Sequence, residues 1–133
     1  MNDLDNGEEF QSLSFNTSSS LYIFCVIVCH TKQSLILDLR GNPGGLLTSA
    51  VDVASCFVPK GSDIVSARGR GFPAVLYRSR VDPVLDPNTK LAVLVNGQTA
   101  SAAEIVSGAI QDLDVGVIVG GDRTFGKVRT KKN

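Results

Sequence analysis

LAVLVNGQTASAAEI, residues 91–105, passes from an apolar run through a turn into the start of an amphipathic segment. Leu91 to Val95 is aliphatic, and Asn96-Gly97 breaks it. Small residues lead to Ser101. Ala102, Ile105, Val106, Ala109 and Ile110 then recur at helical spacing with one apolar face. The pattern predicts a strand, a turn and a helix, with Ser101 at the junction. A serine there has its hydroxyl exposed, a helix N-terminus beneath it and neighbours too small to block a ligand. The plain alternative is a helix cap, a role open to Ser101 or Thr99.

Working outward, the same grammar repeats upstream. Leu35 to Leu39 is a short apolar run suited to a buried strand, and Arg40-Gly41-Asn42-Pro43-Gly44-Gly45 is a turn by composition. Leu47, Ala50, Val51, Ala54 and Phe57 follow at helical spacing, and Pro59-Lys60-Gly61 stops them. Asp63 to Ala67 predicts a strand. Arg68 to Asn88, with four arginines and three prolines, predicts an exposed hairpin or long loop. Downstream, Gln111 to Asp114 ends the second helix, and Val115 to Val119 predicts another strand before Gly120-Gly121. Alternating strands and helices argue an α/β fold. Ahead of Ser34, Leu21 to Cys29 predicts a strand or an adventitious apolar segment, His30 to Gln33 a polar linker, and Met1 to Ser20 disorder.

The bulk numbers exclude several classes. At 133 residues the chain holds one domain at most. Thirteen basic and thirteen acidic residues cancel, so nothing points to nucleic acid or an anionic membrane surface. The run Leu21 to Cys29 is less than half of the about 20 residues a membrane-spanning helix needs, so no integral membrane segment is expected. No basic residue precedes it, so neither a signal peptide nor a transit peptide is readable. The three cysteines, Cys25, Cys29 and Cys56, lack zinc spacing, and the single histidine is His30. Buried thiols explain them better than a metal.

Ser101 is the candidate nucleophile, and a serine hydroxyl needs a base to take its proton. Lys127, after Thr124-Phe125-Gly126, is the candidate base, provided its surroundings keep it neutral. The helix opening at Ala102 aims backbone N–H groups at a reacting carbonyl, and Gly44-Gly45 lets a second stretch of backbone approach. Asp112 at the helix end could position groups by hydrogen bonding. Each has an ordinary alternative: a surface lysine, a strand-to-helix turn, a solvated helix terminus. Gly121 to Lys127 also fits G-x-x-x-x-G-K, but Val128 stands where a magnesium-ligating hydroxyl is needed, so no nucleotide site is expected. The arginines Arg68, Arg70, Arg78 and Arg80, with acids nearby, read as a solvated face.

Three segments resemble, in order, the motifs of the C-terminal processing (tail-specific, carboxyl-terminal) serine peptidases. Leu37-Asp38-Leu39-Arg40-Gly41-Asn42-Pro43-Gly44-Gly45 resembles that family's D-L-R-x-N-P-G-G turn. Val95-Asn96-Gly97-Gln98-Thr99-Ala100-Ser101-Ala102-Ala103-Glu104 resembles its V-N-x-x-[ST]-A-S-A-S-E segment, and Thr124-Phe125-Gly126-Lys127 its T-F-G-K-G segment. The resemblance spans Leu35 to Lys127. It implies a crotonase/Clp-protease-like α/β core of alternating strands and helices. It also implies proteolysis near a protein's C-terminus by a Ser-Lys dyad, with Ser101 as nucleophile and Lys127 as general base. The oxyanion donors would be the backbone N–H groups of Gly44 and Ala102, with Asp112 in a supporting role. The partner implied is a protein substrate with an unstructured C-terminus, and no metal or cofactor is needed. Members work in the chloroplast thylakoid lumen or the bacterial periplasm.

The chain departs from that pattern in places. Nothing before Leu35 resembles the family's PDZ domain. Val128 replaces a glycine, Lys131 stands at a glutamine position, and Ala103 replaces the last serine of the nucleophile motif. These departures predict a partial catalytic domain over residues 34–127, incomplete at both ends. They leave a disordered or unrelated segment over 1–33 and a divergent tail over 128–133. Two alternative functions go with them: a non-catalytic relic that binds peptide or partner, and a crotonase-like acyl-CoA enzyme that does not use Ser101.

Overall fold

The computed structural model describes residues 26–31, 34–69, 71–121, 123–126 and 128, the first of these stretches by its backbone alone. The segment read as disordered, Met1 to Ser20, lies outside the described residues, as do Cys25, Arg70, Lys127 and Lys131.

Four strands form one sheet in the order β1-β2-β5-β6: β1 (Val26–Thr31), β2 (Ser34–Asp38), β5 (Lys90–Leu94) and β6 (Val117–Val119). β2, β5 and β6 run parallel, and β1 pairs antiparallel with β2. Helix α1 (Leu47–Ser55) follows β2 and helix α2 (Ala102–Asp112) links β5 to β6. A second, two-stranded sheet pairs β3 (Asp63–Ala67) with β4 (Val75–Arg78). The α/β class expected from the sequence is what the chain adopts. The stretch 68–88 takes the hairpin alternative, its second strand being β4. The strand expected from Val115 is shorter, beginning at Val117.

Gly116 and Gly120 bracket β6 for a steric reason. A Cβ on Gly116 would lie 2.9 Å from the Leu91 carbonyl oxygen, and one on Gly120 would lie 2.5 Å from that of Val95. Only glycine lets the chain pass β5 this closely on both sides of the strand.

The core is one cluster on one face of the sheet. Leu35 and Leu37 of β2, Leu39 just beyond it, Leu91 and Val93 of β5, and Val95 are buried. They meet Ala50, Val53 and Ala54 of α1 and Ala102, Val106 and Ile110 of α2. Burial alternates along β2 and β5, so Ile36, Ala92 and Leu94 on the opposite face are only half-covered. The run Leu35 to Leu39 was expected to suit a buried strand; the fold instead buries β2 on one side. Among the described residues no helix is long and apolar enough to cross a membrane, and no group of three or more His, Cys, Asp or Glu could hold a metal ion.

Leu37 is fully buried and Val84 is 80% exposed. Leu37→Ala is expected to cost about 2–5 kcal/mol in urea unfolding, and Val84→Ala to stay within about 0.5 kcal/mol of the parent. Similar losses for the two would contradict the placement of the core.

Candidate active site

Because β2 and β5 are parallel neighbours, both chains leave the sheet at the same edge. The turn 40–45 after β2 therefore lies beside the turn 96–101 after β5. Open α/β sheets hold ligands in the crevice outside the carboxyl ends of their strands.

Hydrogen bonds stitch the two turns together. The buried Thr99 hydroxyl donates to the Leu39 carbonyl at 2.7 Å and accepts the Asn96 N–H at 3.0 Å. The Asn96 carboxamide oxygen accepts the N–H groups of Gly41 at 3.0 Å and Gln98 at 3.1 Å. Ala100 N–H donates to the Asn42 carbonyl at 2.9 Å. Thr99 is thus a clamp between turns, and the N-cap position of α2 falls to Ser101. Asp38 holds the exposed Arg40 guanidinium, with its closest contact at 2.6 Å. Those bonds keep the Asp38 carboxyl below its usual range despite its partial burial.

Ser101 takes φ 53° and ψ −117°, a backbone state that costs an L-residue about 1–3 kcal/mol and persists only where its surroundings enforce it. Gly44 is one of those surroundings. Its own φ is +95°, and a Cβ there would lie 2.6 Å from the Ala100 oxygen, 2.7 Å from the Ala102 nitrogen and 2.7 Å from the Ser101 Cβ. The structure therefore brings together Gly44, Ser101 and Ala102. The Ala102 N–H opens α2, among the amides a helix leaves without an internal acceptor. The Gly44 N–H donates to the Asn42 carboxamide oxygen at 2.9 Å, so in this conformation it is engaged within its own turn.

Glu104 is the residue that sequence reasoning passed over. It is 4% exposed. Its Oε2 accepts the Ser101 N–H at 2.9 Å, and its Oε1 accepts the Thr124 hydroxyl at 2.8 Å and the Gly126 N–H at 2.6 Å. Phe125 N–H adds a bond to the Thr99 carbonyl at 3.0 Å. One buried carboxylate thus ties the serine turn to residues 124–126. A buried carboxylate is costly unless hydrogen-bonded in this way. The available signal was the Ser101-x-x-Glu104 spacing of a capping box.

One predicted site residue stands apart. Asp112 is the exposed last residue of the 11-residue α2, about 16 Å along the axis from Ser101, and the fold does not bring the two together. Lys127 lies outside the described residues. Of the glycine-lysine motif, the Gly126 N–H is spent on Glu104.

An α/β sheet carrying a strained serine at a strand-to-helix junction, with glycine backbone packed on it, is an arrangement that can support acyl-transfer chemistry. The profile of Peptidase family S41 matches residues 10–132, and the chain belongs to that family. The match extends beyond Leu35–Lys127, where the motifs lie. The chain is 45% identical over 96 residues to the carboxy-terminal-processing protease of Bartonella bacilliformis, covering 71% of this chain and 21% of that protein. It is 42% identical over 114 residues to the chloroplastic C-terminal processing peptidase of Tetradesmus obliquus, covering 86% and 24%. Against the Bacillus subtilis carboxy-terminal processing protease the identity is 36%, covering 96% and 28%. A solved photosystem II D1 C-terminal processing protease superposes with a TM-score of 0.60 at 42% identity, covering 71% of this chain and 24% of that one. The chain spans about a quarter of the length of these relatives.

Gly44→Ala and Gly61→Ala separate close packing from backbone strain. Gly61 has φ +86° with nothing within 4 Å of an added Cβ. Its replacement is expected to cost about 1–3 kcal/mol from the positive φ alone, and Gly44→Ala clearly more, by urea unfolding. Equal costs would mean that Gly44 is not pressed against the Ser101 turn.

Proposed function

We propose that this chain carries the catalytic segment of a serine-type endopeptidase that cleaves proteins near their C-termini. The observation that carries the reading is the Ser101 backbone, held at positive φ on the N-terminus of α2 by Gly44. Membership of the S41 family supports it, and the names of the relatives supply the C-terminal preference.

In this reading the Ser101 oxygen attacks the scissile carbonyl carbon while Lys127, neutral beforehand, takes the hydroxyl proton. Lys127 follows Gly126 directly, and Glu104 accepts both the Gly126 N–H and the Ser101 N–H. The carbonyl oxygen becomes an oxyanion and takes the Ala102 N–H. The Gly44 N–H is the second donor once it leaves the Asn42 carboxamide. Collapse breaks the C–N bond, and the Lys127 ammonium returns its proton to the departing amine. Water, deprotonated by Lys127, then attacks the acyl ester on Ser101, whose oxygen recovers its proton as the ester breaks. Asp112 contributes only through the end of α2 that it terminates.

Ser101→Ala and Lys127→Ala are each expected to abolish cleavage of an unstructured polypeptide with an apolar C-terminus, with circular dichroism unchanged. Lys127→Arg is expected to fail as well, because guanidinium stays protonated and cannot act as a base. Cleavage surviving in Ser101→Ala would overturn the assignment of Ser101 as the nucleophile.

A further inference from the structure

Thr99 is fully buried, and it bonds to each of the three segments that meet at the site. Its hydroxyl gives its one proton to the Leu39 carbonyl at 2.7 Å, just past β2. The same oxygen accepts the Asn96 N–H at 3.0 Å, just past β5. The Asn96 carboxamide oxygen, at 3.4 Å, is the weaker alternative for the proton. In the main chain, the Thr99 carbonyl accepts the Phe125 N–H at 3.0 Å, in the segment leading to Lys127.

The hydroxyl is not there to cap α2, because Ser101 holds that position. Its place is between the two backbone amides offered to an oxyanion. Gly44 lies five residues beyond Leu39, and Ala102 lies three beyond Thr99. The bonds from Gly41 to Asn96 and from Ala100 to Asn42 then run alongside the Thr99 bond. Valine has the shape of threonine without the hydroxyl. In its place the Leu39 carbonyl loses its 2.7 Å donor and keeps the Asn42 N–H at 3.3 Å, while the Asn96 N–H loses this acceptor. Groups left unpaired in a buried turn move to find other partners or water.

We propose that Thr99 is a positioning residue for hydrolysis. By joining Leu39 to Asn96, its hydroxyl sets the spacing between the Gly44 and Ala102 amides. This deepens the peptidase reading and rests on it. Thr99 acts through the two turns and touches no reacting atom. A displacement of about 1 Å in a catalytic group can cost about 100-fold in rate. The loss falls on kcat, because the oxyanion forms only after the substrate has bound.

The test compares Thr99→Val, which keeps the shape, with Thr99→Ser, which keeps the hydroxyl, both in the whole chain. On an unstructured polypeptide with an apolar C-terminus, Thr99→Val should lower kcat at least about tenfold with KM unchanged. Thr99→Ser should stay within about threefold of the parent. A loss caused by unfolding disappears on cooling well below the melting temperature, and a misplaced amide persists. A parent-like kcat in Thr99→Val overturns the proposal, as does an equal loss in both variants, a loss confined to KM, or one that vanishes on cooling. Should Thr99→Val not fold, Thr99→Cys takes its place. A thiol is the weaker donor, so kcat should fall below that of Thr99→Ser, and a match between the two overturns the proposal.

Amide signals give a readout that needs no cleavage. In proton–nitrogen correlation spectra, Thr99→Val should shift the Gly44 and Ala102 signals further than Thr99→Ser does. The signal of Gly61, in the loop before β3, should stay in place. Equal shifts in the two variants overturn the proposal. The two readings fail separately. Selective shifts in a chain whose parent does not cleave keep the role of Thr99 and refute the peptidase. Cleavage by the parent with kcat unchanged in Thr99→Val keeps the peptidase and refutes the role of Thr99.

Discussion

The carboxylate of Glu104 is the contact on which the rest of this site depends. It is buried, and it accepts hydrogen bonds from the Ser101 backbone on one side and from Thr124 and Gly126 on the other. Those donors come from segments that leave the sheet by different strands. A carboxylate without partners in that position would cost several kcal/mol, so the three bonds are a condition of the fold as much as a decoration of the site.

The sheet supplies the second constraint. Parallel pairing of β2 with β5 puts two turns side by side, and a threonine, two asparagines and a glycine weld them. Ser101 is strained because Gly44 packs against its turn and Glu104 holds its amide. Strain of this kind is stable only where packing over-determines it. The same packing leaves the Gly44 amide bonded to the Asn42 carboxamide oxygen.

Much of the scaffold was legible in the sequence because periodicity reports burial. β2, β3 and β5 lie where the apolar runs stand, and α2 begins at Ala102 as its spacing requires. β4 was readable only as one possibility, since prolines and arginines dilute its pattern and its burial is slight. β6 is shorter than its apolar run, and the Val115 N–H donates to the Ile110 carbonyl of α2 instead of to β5. The site was legible unevenly. Ser101, Gly44 and Ala102 come together as their turn chemistry and the family motifs implied. Glu104 was hidden, because a charged residue on an apolar helix face gives no periodic signal and its partners Thr124 and Gly126 lie twenty or more positions away; only its bond to Ser101 is local. The exposed placement of Asp112 depends on helix length, which a motif does not carry.

The central claim, that Glu104 couples the serine turn to the segment leading to Lys127, is tested most directly by a double-mutant cycle in urea unfolding. Its corners are the parent chain, Glu104→Ala, Thr124→Val and the double variant. Shared bonding predicts that the two changes are non-additive by at least about 1 kcal/mol, within the range seen for residues in contact. Additivity within about 0.3 kcal/mol would mean that the two segments are held independently, and the account of the site would fail at its base.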